Sequence, residues 1–147
     1  MKVDVKSNAT LKDIEKELRE KPEAGRWFPK WCFARDRVAI VIPFRDRHAH
    51  LTILLKYLIP MLQRQLLDFR IFVPEQLGNG TFNKGRLMNA AVKEAMSEYD
   101  FRYMYDKLVG GALNLRKDHL LCVNGYSNGY WGWGAEDDDM AERLVHV

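Results

Sequence analysis

The chain has 147 residues, 47% of them hydrophobic and 29% charged, enough for one domain with a buried core and too apolar for wholesale disorder. Lysine and arginine number 23 against 20 aspartates and glutamates, too even a balance for a dedicated nucleic-acid binder with a basic face. No stretch approaches the roughly 18 consecutive apolar residues of a membrane span, and Met1 to Thr10 lacks the apolar centre of a signal peptide.

Leu11 to Glu20 reads as a charged surface helix capped by Thr10, with Leu11, Ile14 and Leu18 at helical spacing. Pro22 to Pro29 reads as a linker, so residues 1–30 form an N-terminal helical and linker segment and residues 31–147 the main domain. Val38-Ala39-Ile40-Val41-Ile42 is a continuous apolar run, the pattern of a strand buried on both faces of a parallel sheet, and Pro43 ends it. A long helix follows with Leu51, Leu54, Leu55, Leu58 and Leu62 on one stripe, and Pro60 predicts a kink or restart. Phe69 to Val73 is a second strand, Gly78-Asn79-Gly80 a turn, and Asn83 the cap of a third helix that buries Leu87, Met88, Ala91, Val92 and Ala95. Strand, helix, strand, helix predicts an α/β fold with a mostly parallel sheet.

Beyond Tyr99 the pattern loses its period: Tyr99 to Tyr105 matches neither helix nor strand. A short strand over Ala112 to Leu115, a helical turn through Leu120 and Leu121 ended by Gly125, and a final short helix near the end of the chain complete the reading. The two cysteines, Cys32 and Cys122, lack metal-ligand spacing and leave their pairing open.

Three clusters could carry chemistry. Pro43-Phe44-Arg45-Asp46-Arg47 stands just past the carboxyl end of a buried strand, where open α/β sheets bind ligands; its arginines suit an anion and Phe44 could stack on a base. Phe82-Asn83-Lys84 opens a helix, and backbone N–H groups there suit phosphate. Trp131-Gly132-Trp133-Gly134-Ala135 sets large rings between small residues, as a platform for the apolar face of a sugar, and Glu136 to Asp139 add acceptors for hydroxyls and a general base. His48, His50, His119 and His146 have no carboxylate or cysteine at a ligand offset, and His48 and His50 read as exposed at a helix start. Asn8-Ala9-Thr10 and Asn79-Gly80-Thr81 are sequons for N-glycosylation.

Taken in order, these segments resemble the beta-1,4-galactosyltransferase family. Val38 to Arg47 is similar to its VAIVIPFR(N/D)R, Phe82 to Asn89 to its FNRAKLLN, Gly110 to Leu113 to its GGVSAL, and Val123 to Asp139 to its INGFPNNYWGWGGEDDD. The resemblance implies a GT-A-like, Rossmann-related fold and inverting transfer of galactose or N-acetylgalactosamine from a UDP-sugar to a β-1,4 position. The acceptor would be a glycan on a glycoprotein or glycolipid, ending in a sugar such as N-acetylglucosamine. It also implies manganese, the Golgi lumen, and a membrane anchor that this chain lacks. By residue match, Pro43, Phe44, Arg45 and Arg47 would hold the uridine side of the donor. Phe82, Asn83 and Lys84 would contact the nucleotide, with Lys84 in place of the usual arginine. Gly111 and Trp133 would complete the donor site, with Trp133 over the sugars; Asp137 would be the catalytic base, and Glu136 and Asp138 would hold the sugars. Leu108 stands where galactosyltransferases usually carry tyrosine, and its smaller side chain would leave room for an N-acetyl group.

The chain departs from this pattern in one block. The family's strand ending in Asp-Val-Asp, with its metal-binding aspartate, has no counterpart, because Asp100 runs almost directly into Phe101-Arg102-Tyr103. The family's later methionine and histidine ligands fall beyond Val147, and Cys32 matches a cysteine whose upstream partner is absent. The expectations are a missing central strand, unpaired ladder groups on its neighbours, no metal ligands, and weak or no transfer. The alternative is a non-catalytic remnant that binds glycans or pairs with an intact enzyme.

Overall fold

The computed structural model describes residues 10–18, 20–108, 111–132 and 134–147, with 105–108 and 111–113 placed by their backbone. The run Val38 to Ile42 alternates its side chains across a sheet, and that alternation divides the core into two layers. Val38, Ile40 and Ile42 join Phe69, Leu51, Leu58, Ile59 and Leu62 on one face. Ala39 and Val41 join Met88, Ala91, Val92, Ala95, Met104, Leu115, Leu120 and Met140 on the other.

The elements are α1 (Leu11–Glu17), β1 (Arg26–Trp27), β2 (Arg37–Val41), α2 (His48–Arg64), β3 (Asp68–Phe72), α3 (Lys84–Glu98), β4 (Tyr103–Leu108), β5 (Gly111–Arg116), α4 (Lys117–Cys122) and α5 (Glu136–Leu144). The strands form one sheet in the order β1-β3-β2-β4-β5. The inner pairs β2–β3 and β2–β4 are parallel and the outer pairs β1–β3 and β4–β5 antiparallel, so the sheet is mixed.

The central position is filled. β4 pairs with β2 from Val38↔Tyr103 to Val41↔Asp106, so β2 carries a ladder on both edges and the gap expected beside it does not open. The segment gave no period in the sequence because both faces of its start are apolar: Met104 packs into one core layer and Tyr103 against the other. Pro60 likewise departs from expectation. α2 runs on through it, and buried Leu58, Ile59 and Leu62 anchor the helix to the sheet on either side of the lost backbone bond.

The N-terminal segment is tied to the same sheet. Trp27 stacks on Phe69 with ring centroids 5.8 Å apart, and its indole N–H donates to Glu20 Oε2 at 2.8 Å. Asp68, 7% exposed, accepts a forked pair of bonds from Arg26 at 3.0 and 2.8 Å, and a third from the Tyr99 hydroxyl at 2.9 Å. A buried carboxylate is stable only when satisfied in this way. At the other end Gly125 takes φ +70°, and its N–H closes on Leu120 O at 2.9 Å, ending α4 as the sequence predicts.

Candidate functional site

The loop after β2 is held by a short parallel extension of the sheet. Phe44 N–H donates to Pro74 O, and Gln76 N–H donates to Phe44 O. This places the Phe44 ring in the core, 6% exposed and edge-on to His48 at 4.9 Å. The ring is therefore no stacking platform for a base; buried with Pro43, it fixes the direction of the loop. Arg45 is left at the edge, where its guanidinium donates to Gly80 O and lies 5.3 Å over the Phe82 ring. Arg47 is exposed at the N-cap position of α2 and makes no capping bond with its side chain, and His48 and His50 are exposed as expected.

Asn83 caps α3 through its side chain, which accepts from Arg86 N–H at 2.9 Å. The cap is also a fastener. Asn83 Nδ2 donates to Asn128 O at 3.0 Å, and Asn83 N–H donates to Gln76 Oε1 at 2.8 Å. Nearly two turns on, Asn89 grips the same loop: its Nδ2 donates to Tyr126 O at 2.7 Å and its Oδ1 accepts from Tyr126 N–H at 2.8 Å. Gly85 permits this approach, since a Cβ there would lie 2.2 Å from Ser127 O. Gly132 N–H then donates to Phe82 O at 2.7 Å, and Arg86 lies 4.9 Å over the Trp131 ring. Sequence reasoning missed Asn89 and Asn128 because they bond segments about forty positions apart, and Gln76 because its bonds to Thr81 and Asn83 close a loop with no local signature. Only the place of Asn89 at the end of the Phe82–Asn89 segment marked it.

These bonds bring the helix-opening cluster to the acidic one. Lys84 is 4% exposed, and its ammonium meets Asp137 Oδ1 at 2.6 Å, from 53 positions away in the chain. It also lies 5.5 Å over the Tyr126 ring. A buried ammonium needs such partners, since desolvating it unpaired costs several kcal/mol. The Asp137 side chain remains 54% exposed, so one oxygen is engaged and the carboxylate still faces solvent. Glu136 is half-buried and Asp138 exposed beside it, in the first turn of α5, where negative charge suits the helix dipole. Asp139 turns away: it accepts two bonds from Arg143, which also donates to Val123 O and Gly125 O and so latches α5 to the loop.

The remaining expected residues are placed less fully. Leu108 ends β4 in register with Gly111 of β5. Trp133 lies outside the described residues. Cys32 and Cys122 are free and exposed. Among the described residues no three of His, Cys, Asp or Glu converge to hold a metal ion. The acids of the site stand on one short helix, and Asp137 is already engaged by an ammonium, so this donor set does not fit a divalent cation. What the arrangement offers is a set of cations (Arg45, Lys84, Arg86) joined through the Lys84–Asp137 pair to a set of acids (Glu136, Asp137, Asp138). Such a set of groups can bind an anion through its cations and a hydroxyl through its acids.

Comparison with known proteins decides the kinship. Residues 1–109 match the family described as the N-terminal region of glycosyl transferase group 7, and residues 90–147 match the N-terminal domain of galactosyltransferase. The chain belongs to glycosyl transferase group 7. Among relatives of this group 7 chain, mouse (Mus musculus) beta-1,4-galactosyltransferase 1 is 37% identical over 91% of this chain and 44% of its own length. Mouse beta-1,4-galactosyltransferase 4 is 36% identical over 95% of this chain and 51% of its own. The chain thus spans about half the length of the curated relatives it matches. The first alignment runs over 174 positions, whereas 91% of 147 residues is only about 134, so about 40 positions or more fall opposite gaps in this chain.

The fold is that of a galactosyltransferase catalytic domain. The crystal structure of the catalytic domain of Drosophila beta-1,4-galactosyltransferase 7 with xylobiose superimposes with a TM-score of 0.68 at 28% identity, covering 76% of this chain and 61% of that one. A mutant of that enzyme in complex with manganese, UDP-Gal and xylobiose gives 0.67 at 25%.

Proposed function

We propose that this chain carries the donor and acceptor site of an inverting UDP-galactose-dependent hexosyltransferase, with Asp137 as the base. The observation that carries the reading is the Lys84–Asp137 pair. It joins the Phe82–Asn83–Lys84 segment to the acidic one at 2.6 Å and fixes one oxygen of the carboxylate while the side chain stays more than half exposed. In the reaction, Asp137 takes the proton of the acceptor hydroxyl through its free oxygen. The hydroxyl oxygen bonds to the anomeric carbon of the donor, and the bond to the UDP oxygen breaks with inversion. Arg45, Arg47 and Lys84 offset the charge of UDP, and Glu136 and Asp138 accept hydrogen bonds from sugar hydroxyls. Gly111 and Trp133 belong to the donor side. The acceptor class is a glycan ending in a sugar such as N-acetylglucosamine, on a glycoprotein or glycolipid, and the compartment is the Golgi lumen.

Leu108 extends the reading to the donor sugar: the complete parent enzyme tolerates some UDP-N-acetylgalactosamine beside UDP-galactose, because leucine leaves space where the family usually has tyrosine. Strict preference for UDP-galactose would overturn that extension. The reaction is tested by transfer from each donor to an N-acetylglucosaminide, with manganese and with chelator. Asp137→Asn should lower turnover roughly a hundredfold to ten-thousandfold, the range for loss of a general base, while UDP retention persists. Transfer unaffected by Asp137→Asn would reject the assignment.

The lack of a converging acid cluster among the described residues favours a second reading, a glycan-binding module with little turnover. It predicts retention on immobilised glycan that needs no UDP-sugar, and no transfer with or without manganese.

A further inference from the structure

At the end of the strands opposite the Lys84–Asp137 pair lies an open cavity of about 470 Å³. Its walls come from the start of β2, the lead into β4 and the junction of β5 with α4. Five cations line it, Arg35, Arg37, Arg102, Arg116 and Lys117, against three carboxylates, Asp36, Asp100 and Asp118, a surplus of two positive charges. The pairing is uneven. Asp100 serves both Arg37, at 2.9 Å, and Lys117, at 3.7 Å, and Asp118 is matched to Arg116 at 2.6 Å. Among the described residues, Arg35 and Arg102 have no carboxylate ion-pair partner, and Asp36 has no cationic one. The Arg102 guanidinium lies 5.4 Å over the Tyr103 ring, which orients its plane without neutralising it. Arg102 also sits in the frame of the sheet, its N–H donating to Arg37 O and its carbonyl accepting from Lys117 N–H.

Excess charge of this kind is not required by the fold. Arg35, Arg37, Arg102 and Arg116 are exposed at a rim that any polar side chain could occupy. Guanidinium groups left over from ion pairs around one concavity match a tetrahedral oxyanion, which accepts forked bonds from several directions. A cavity of this volume is at the lower end of those that take small ligands.

We propose that this cavity binds a sulfate or phosphate ester carried on a sugar, through Arg35 and Arg102. The ester would sit away from Asp137, so the site would grip a charged position of a glycan or its carrier. The choice of a sugar as carrier rests on the transferase reading; the oxyanion site does not.

The test is direct binding, followed by titration calorimetry and by NMR shifts of the Arg35 and Arg102 side chains. The probes are glucose 6-sulfate, glucose 6-phosphate, inorganic sulfate and uncharged glucose, on wild type and on Arg35→Ala, Arg102→Ala and the double variant. Thermal melting checks that each variant is folded. The expected result is binding of an ester, shifts confined to this cavity, a loss of roughly tenfold or more for each guanidinium removed, and no binding of glucose. Preference for the sulfate or the phosphate ester identifies the source of the oxyanion. Equal affinity for inorganic sulfate and glucose 6-sulfate would leave the oxyanion site standing and remove the sugar. Ester binding unaltered in the folded double variant, or no binding by wild type, would overturn the proposal. None of these measurements involves transfer, so failure of the catalytic reading and failure of this one are distinguishable.

Discussion

On the α2 side of the sheet, Val38, Ile40, Ile42, Phe69, Leu58 and Leu62 bury one another, and Thr52 is the one polar residue among those that α2 buries. On the α3 side the strands contribute Ala39 and Val41, and the helix brings buried Asn83 and Lys84 as well as Met88, Ala91 and Ala95. The first face is held by area removed from water, a term indifferent to direction. The second is held also by directional bonds from Asn83, Lys84 and Asn89 to the loop that carries the site. One sheet therefore has a face that only stabilises and a face that also aims.

That contrast predicts different consequences for mutations of similar severity. Leu58→Ala, on the packing face, should cost about 2–5 kcal/mol by cavity formation. Chemical denaturation would measure this as a lower midpoint, while UDP-sugar affinity of the folded fraction stays at the wild-type value. A fall in affinity as large as the fall in stability would break the comparison. Gly85→Ala should cost roughly 1–3 kcal/mol, because its Cβ meets the Ser127 carbonyl oxygen at 2.2 Å and backbone must move. Here affinity should fall with stability, because the displaced loop leads to Trp131 and Asp137. Wild-type binding in Gly85→Ala would show that the site does not depend on this contact.

The sequence was most informative where one physical rule governs a segment. The apolar run at Val38–Ile42, the stripe on α2 and the cap at Asn83 were legible because period and capping are local. β4 was not, since its start presents Tyr103 to one core layer and Met104 to the other and so shows no alternation to read. Pro60 misled because the rule concerns the backbone bond, whereas packing of Leu58, Ile59 and Leu62 decides the outcome. Within the site, charged and aromatic residues announced themselves by type, but Phe44 did not announce that it is buried. The Lys84–Asp137 pair spans 53 positions and could come only from the fold.

A smaller effect comes from the Asp68 network, which joins β1 and β3 to the end of α3. Burial, reinforced by the hydrogen bond to Asp68, raises the Tyr99 phenol well above its usual value. With the folded pKa raised, the stabilisation is complete below the unfolded value near 10 and is lost as pH rises from there through the folded pKa. Alkaline unfolding should therefore steepen above about pH 10. Tyr99→Phe should flatten that limb and cost about 1–3 kcal/mol at neutral pH through the lost bonds. An unchanged alkaline limb in Tyr99→Phe would assign it to other groups.

The smallest expected effect tests whether the aiming face stores strain. Ala135, the residue before α5, has φ +69°, a left-handed conformation costing an L-residue roughly 1–2 kcal/mol. The related family motif has glycine at this position. Ala135→Gly removes the steric cost and adds about 0.5–1 kcal/mol of chain entropy to lose on folding. The net gain should be a few tenths to about 1 kcal/mol, measured as a higher denaturation midpoint. If the strain serves to hold Asp137 against Lys84, the stabilised variant should bind its ligand less tightly. A variant that gains stability and keeps affinity would show instead that the Lys84 ion pair alone sets the carboxylate, and that the strain at Ala135 is only a cost of replacing glycine.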